Sequence, residues 1–160
     1  MKDINFTKTE DTLFLEEEHI MLKEQVKKFV ETEVKPVAQK WESDGFIPRE
    51  VFKKMGALGF LGITYPTEFG GSEMDVRGSV VFAEELGKST FSGFAIASLV
   101  HTDMASVHLL NAGNTEQKEK YLRDIVSGNK ISCVAVTEPH AGSDVKNIRT
   151  TAQKFGNKYL

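Results

Sequence analysis

The chain has 160 residues, of which 40% are hydrophobic and 27% charged, an ordinary balance for a soluble domain with a real core. Its net charge of −3, with acid and base interleaved, excludes the basic footprint of a nucleic-acid binder. The single cysteine, Cys133, excludes an internal disulfide framework and fits a reducing compartment, and no apolar run reaches the roughly 20 residues of a membrane span.

The opening "MKDINFTKTEDTLFLEEE" is acidic and lacks both a secretory apolar core and Arg-rich transit character. A cytoplasmic protein is the default expectation, with a processed organelle protein left open. Residues 1–14 read as a loose lead-in. From Leu15, apolar positions recur at Leu22, Val26, Phe29, Val30, Val34, Val37 and Trp41, which predicts one long amphipathic helix. Glu16, Glu17 and Glu18 sit where the helix dipole favours negative charge, and Pro36 predicts a kink near the last turns. Pro48 opens a second helix through "REVFKKMGALG", and "TYPTEFGGSEMD" is a loop of turn formers. A third helix runs from about Asp75, with Val80, Val81, Ala83, Glu84 and Leu86 spaced for partial burial. The fourth, "FSGFAIASLVHTDMASVHLLNAG", is apolar nearly all round and is expected at the centre of a bundle. Asn114 or Thr115 caps the fifth, "EQKEKYLRDIVSG", which Gly113 and Gly128 bracket.

Past Gly128 the periodicity shortens. "ISCVAV" is a β-rich run, "IRTTAQKF" is strand-like, and "GN" is a two-residue turn of the kind that demands positive φ before a return strand "KYL". A hairpin stopping after three residues of its second strand leaves an open ladder, so the expectation is a chain cut inside a β-domain. The fold class is therefore mainly α, a bundle of about five helices followed by the start of a β-domain. The boundary is expected between residues 1–129 and 130–160.

The chemistry concentrates in "VAVTEPHAGSDVKN", residues 134–147. Pro139 has no amide hydrogen and biases Glu138 towards extended backbone, so the strand ends there. Gly142 either lets backbone approach a ligand closely or turns with positive φ. Ser143 and Asp144 follow with consecutive amides and a hydroxyl that suit phosphate oxygens. The Thr137 hydroxyl at the strand end can donate and accept. These features suit a large polar ligand laid along the backbone, and equally a structural turn with Asx and Ser/Thr contacts.

The stretch resembles the acyl-CoA dehydrogenase family, whose flavin signature runs apolar-x-apolar-Thr-Glu-Pro-x-x-Gly-Ser-Asp. "YPTEFGGSEMDVRGSVVFAEELGKS" and "LVHTDMASVHLLNAGNTEQKEKYLRDIVSGNKISCVAVTEP" resemble the family's preceding blocks in order and spacing, so the likeness spans about Phe14 to Leu160. It implies a helical amino-terminal domain and the first strands of a middle β-domain, in a homotetrameric or homodimeric parent. It further implies that Val134 to Ser143 line the flavin of FAD. Thr137, with backbone around Val136, would meet the pyrimidine edge. Gly142 and Ser143 would meet the pyrophosphate, with Ser143 also near the CoA part of the substrate. The helix around Phe94 to His101 would form part of the acyl-pocket wall. The implied reaction is α,β-dehydrogenation of an acyl-CoA thioester, with hydride passed to flavin N5 and electrons on to an electron-transferring flavoprotein. The family's catalytic glutamate lies in a carboxy-terminal domain, so no catalytic residue is assigned here and the chain alone is expected to be inactive. Two alternatives stand beside it: an acyl-CoA oxidase or flavin monooxygenase on the same scaffold, and a non-enzymatic helical interaction module.

Other residues read more plainly. His140 stands where many family members carry glycine, and is expected to be solvent-exposed rather than a phosphate donor. His101 and His108 are seven apart, whereas helical metal pairs sit three or four apart, so no metal site is assigned. His101 otherwise reads as a packed bundle residue, His19 as surface or packing, Glu138 as structural, and Cys133 as an inert buried thiol.

Overall fold

The computed structural model describes residues 14–160, so the expected lead-in lies almost wholly outside the described residues. Among the described residues, six helices and one short hairpin stand in chain order: α1 Glu17–Phe29, α2 Ala38–Asp44, α3 Arg49–Ala57, α4 Val76–Gly87, α5 Ser92–Ala112 and α6 Thr115–Val126, then β1 Lys154–Phe155 and β2 Lys158–Tyr159. The expected first helix is split in two. Pro36 cannot donate to the carbonyl four residues back, and the backbone widens into a π segment, Val30–Val34, in which the Lys35 amide donates to the Val30 carbonyl at 2.9 Å. A turn follows before α2, which ends on Gly45.

Glu16 caps α1 in a reciprocal box. Its side chain accepts from the His19 amide, and its own amide donates to His19 Nδ1 at 3.2 Å. Asp75 caps α4, accepting from the Arg77 amide at 2.8 Å. The buried face of α4 is Gly78, Val81, Phe82, Glu85 and Leu86. This corrects the expected set. Steps of three and four from Gly78 select these residues, which leaves Val80 and Glu84 in solvent.

The core gathers Val26 and Phe29 of α1 and Val30 of the π segment with Trp41, Phe52, Met55, Phe60, Phe82, Leu86 and Phe94. Phe60 joins its halves, edge-on to Phe29 at a centroid distance of 5.7 Å and 6.1 Å from Phe82. A second cluster of Tyr65, Phe69, Leu122 and Val126 seats α6 on the 62–74 loop.

Helix α5 departs from its expected central place. Its buried stripe is Phe94, Ser98, His101, Thr102 and Ser106, while Ile96 is 56% exposed on the opposite side. Neighbours within the chain cover only one side of it. At 21 residues it is long and apolar enough, by length and composition, to cross a membrane, which corrects the reading that no run reaches that length. Its buried stripe is mostly polar and hydrogen-bonded inside the protein, as suits a helix packed on protein.

The β elements are sparser than expected. Residues 131–137 form no hydrogen-bonded ladder, because their neighbours along the sheet direction are absent among the described residues. The hairpin pairs Lys154 with Tyr159 and Phe155 with Lys158 around the Gly156–Asn157 turn, and Gly156 has φ +59°. Cys133 is exposed, correcting the buried thiol, for the same want of neighbours.

Candidate functional site

The site begins at the end of α6. Asn114 and Gln117 form the box that starts this helix, with the Gln117 amide donating to Asn114 Oδ1 at 2.8 Å. At the other end the chain reverses through Gly128, at φ +74°, where a Cβ would overlap the Phe52 carbonyl. Only glycine lets the turn sit directly on α3. The Lys130 amide then donates back to the Asp124 carbonyl at 2.9 Å.

Two residues on, Ser132 meets α5. Its amide donates to His101 Nδ1 at 3.1 Å and its hydroxyl lies 3.0 Å from the His101 carbonyl. The other ring nitrogen, His101 Nε2, lies 3.1 Å from the Ile125 carbonyl in α6. Burial of the ring lowers the His101 pKa below its ordinary 6.5. Phe52 closes the site edge-on at a ring distance of 5.7 Å.

From here residues 133–137 run out exposed. A tight turn follows, in which the Glu138 amide donates to the Ala141 carbonyl at 3.0 Å and the Ala141 amide returns the bond at 3.2 Å. Pro139 and His140 occupy its centre, where a missing proline donor does no harm. The Glu138 carboxylate gathers the amides of Arg149 and Thr150, both at 2.9 Å, and the Thr150 hydroxyl. The Thr150 hydroxyl, followed by the Arg149 and Thr150 amides, holds its pKa below the usual value. A carboxylate engaged this way is a structural staple, and His140 Nε2, 3.1 Å from Glu138 Oε2, leans on it. Asp144 accepts from the Asn147 side chain and backbone, closing the short 3₁₀ turn Val145–Asn147.

The stapled loop leaves a row of ligand-capable groups open to solvent. Val134 and Val136 are 38% and 44% exposed. Thr137, Gly142 and Ser143 are exposed as well, and the hydroxyls of Thr137 and Ser143 carry no hydrogen bond among the described residues. Gly142 does not have positive φ, and the space where a Cβ would stand is empty for 4 Å. Of its two expected uses, close approach is therefore the one this backbone permits. Phe94 and His101 lie elsewhere: both are 0% exposed, Phe94 against Trp41 at 6.1 Å. On the open side of the same helix, Ala95, Ile96 and Leu99 line a depression of about 360 Å³ with Gly87, Thr90 and Ser92. Sequence reasoning missed Ser132, whose one signal is a hydroxyl interrupting an apolar run, and missed Arg149 and Thr150, whose backbone role carries no signal. Among the described residues no three His, Cys, Asp or Glu side chains gather as a metal site.

Among the described residues, six helices followed by an exposed extended segment and a short hairpin define a mainly α chain whose polar loop stands open to solvent. The chain belongs to the acyl-CoA dehydrogenase family: the family's "Acyl-CoA dehydrogenase, N-terminal domain" matches residues 16–129. An acyl-CoA dehydrogenase of Bacillus subtilis is 37% identical over 144 residues, which is 90% of this chain and 38% of the relative. The crystal structure of an acyl-CoA dehydrogenase from Geobacillus kaustophilus superposes with a TM-score of 0.87 at 40% identity, covering 92% of this chain and 38% of that one. An acyl-CoA dehydrogenase complexed with FAD from Bacillus anthracis gives a TM-score of 0.81 at 35% identity, covering 87% and 24%. The chain thus spans less than two-fifths of the length of these relatives.

Proposed function

We propose that this chain is the amino-terminal part of an FAD-dependent acyl-CoA dehydrogenase, acting on acyl-CoA thioesters and passing electrons to an electron-transferring flavoprotein. The observation that carries the reading is the loop at 134–143, hydrogen-bonded through Glu138 to Arg149 and Thr150 while its own hydroxyls and its Gly142 face remain free. These residues fit FAD. Val134, Val136 and Thr137 offer backbone and hydroxyl to the flavin ring. Gly142 and Ser143 offer an unobstructed approach to pyrophosphate, with Ser143 also near the CoA chain. Bound FAD supplies the hydride acceptor, chemistry that no side chain has. The chain's own residues bind and orient, and none of them is assigned as the proton-abstracting base. Phe94 and His101 support the acyl-pocket wall from behind, with Ala95, Ile96 and Leu99 presenting its surface. A homo-oligomeric, cytoplasmic parent belongs to the same proposal.

The test is made on the full-length protein. It is expected to purify yellow, to bleach anaerobically with an acyl-CoA, and to reoxidise slowly in oxygen without an acceptor protein. Fast reoxidation would favour an oxidase, and a colourless protein that never takes up FAD would remove the flavin reading. Thr137→Ala is expected to weaken flavin interaction by about 1–3 kcal/mol through loss of a buried hydrogen bond.

A further inference from the structure

We infer that His101 is a positioning residue: through Nδ1 and its own carbonyl it fixes Ser132, and with it the path and register of residues 133–137 that lead to Thr137. The cofactor consequence rests on the flavin reading above, whereas the contact itself does not.

The bonding leaves one neutral form of the ring. A backbone amide can only donate, so the Ser132 N–H at 3.1 Å requires a lone pair on Nδ1. The Ile125 carbonyl at 3.1 Å can only accept, so Nε2 carries the proton. With the Nδ1 lone pair taken by the amide, the Ser132 hydroxyl is left to donate to the His101 carbonyl at 3.0 Å. The same carbonyl also accepts from the Ser106 amide and hydroxyl, because α5 is locally a π-helix over Val100–Ala105 and the wider turn moves its intrahelical partner to Ser106. One residue therefore grips the incoming strand twice and ties it to the end of α6 by a third bond.

Position gives this grip its reach. Among the described residues, Ser132 is the one member of 131–137 hydrogen-bonded to the helical layer. Side chains alternate along an extended segment, so a slip of one residue at Ser132 would exchange the faces of Val134, Val136 and Thr137. Among the described residues, no other hydrogen bond between Lys130 and Glu138 opposes that slip. Asn and Gln at position 101 separate the two ends of the ring, since an Asn oxygen falls near Nδ1 and a Gln amide nitrogen near Nε2.

Two measurements test the assignment: exchange of the Ser132 amide in this chain, and FAD affinity in the full-length protein. His101→Asn is expected to keep Ser132 protection within about threefold, while His101→Gln accelerates exchange about tenfold. FAD affinity is expected to fall in the same order, Gln more than Asn. Ser132→Pro, which removes both donors to His101 without touching the core, is expected to weaken FAD binding at least as much as His101→Gln does, with the helical circular dichroism unchanged. Ser132 exchange that is indifferent to His101→Gln overturns the grip. Altered exchange with FAD affinity equal to wild type overturns the positioning role. A wild-type protein that never takes up FAD removes the flavin reading and its consequence here, while the exchange order still upholds or overturns the grip.

Discussion

His19 Nε2 lies 3.1 Å from Asp75 Oδ1, joining the first turn of α1 to the cap of α4 across 56 residues of sequence. His19 Nδ1 already accepts from the Glu16 amide, so Nε2 is the donor. Arg77 completes the clasp, with Nε 2.7 Å from Asp75 Oδ2, and reaches Glu16 Oε1 and the Phe14 carbonyl at 2.9 Å each.

The Arg77 side chain, then its amide and His19, hold the Asp75 pKa at about 2, below the ordinary 3.8. The unfolded chain therefore binds this proton first as pH falls. The carboxylate's contribution is fully present above 3.8 and is lost as pH drops towards 2. Asp75→Asn is expected to be less stable than wild type at neutral pH, with the gap closing in acid. Denaturant midpoints measured across that range check it, and a gap that stays constant with pH would sink the assignment.

His101 gives a second pH dependence at a higher window. Its folded pKa is depressed by burial, so below 6.5 the unfolded chain takes up a proton that the folded one refuses. Stability is expected to be complete above that value and to decline as pH falls from it towards the folded pKa. His101→Asn is expected to flatten the profile there, as read from urea melts at closely spaced pH values.

Tyr65 is buried and its hydroxyl lies 2.7 Å from the Thr102 carbonyl and 2.8 Å from Ser106 Oγ, tying the 62–74 loop to α5. Tyr65→Phe leaves those groups short of a partner and is expected to cost about 1–2 kcal/mol. In calorimetry that corresponds to a fall in Tm of about 2–8 °C.

Two glycines are expected to respond in opposite directions. Gly128→Ala combines positive φ with overlap of the Phe52 carbonyl and is expected to destabilise by about 2–4 kcal/mol. Gly87, the last residue of α4, has open space around it, so Gly87→Ala is expected to stabilise by about 0.5–1 kcal/mol. Thermal melts of the two variants distinguish a steric glycine from a merely flexible one.

Glu138→Ala is expected to speed amide exchange at Arg149 and Thr150 while leaving the helical signal intact. Unchanged exchange at those two amides would mean that the carboxylate is not the staple of the loop.

Much of the helical layer was legible because its signals are local. The acid-rich start of α1, Pro48 before α3, Asp75 before α4 and the cap at Asn114 each act within a few residues, and each stands at an observed boundary. The order of blocks up to the Thr-Glu-Pro signature likewise sufficed to point to the family. Other features depend on partners distant in sequence. Whether α5 is central or edge depends on what covers Ile96, and the exposure of Cys133 depends on which strands lie beside it. In the same way, the burial of His101 follows from Phe52 and Ile125, and its grip on Ser132 from a π turn that no periodicity announces. The sequence by itself determined where the helices start and where the polar loop falls, since caps, prolines and apolar spacing act on neighbours along the chain. Only the tertiary structure decided which nitrogen of His101 is bare and which groups Glu138 holds, because those are properties of residues 11 to 31 positions apart brought within hydrogen-bond reach.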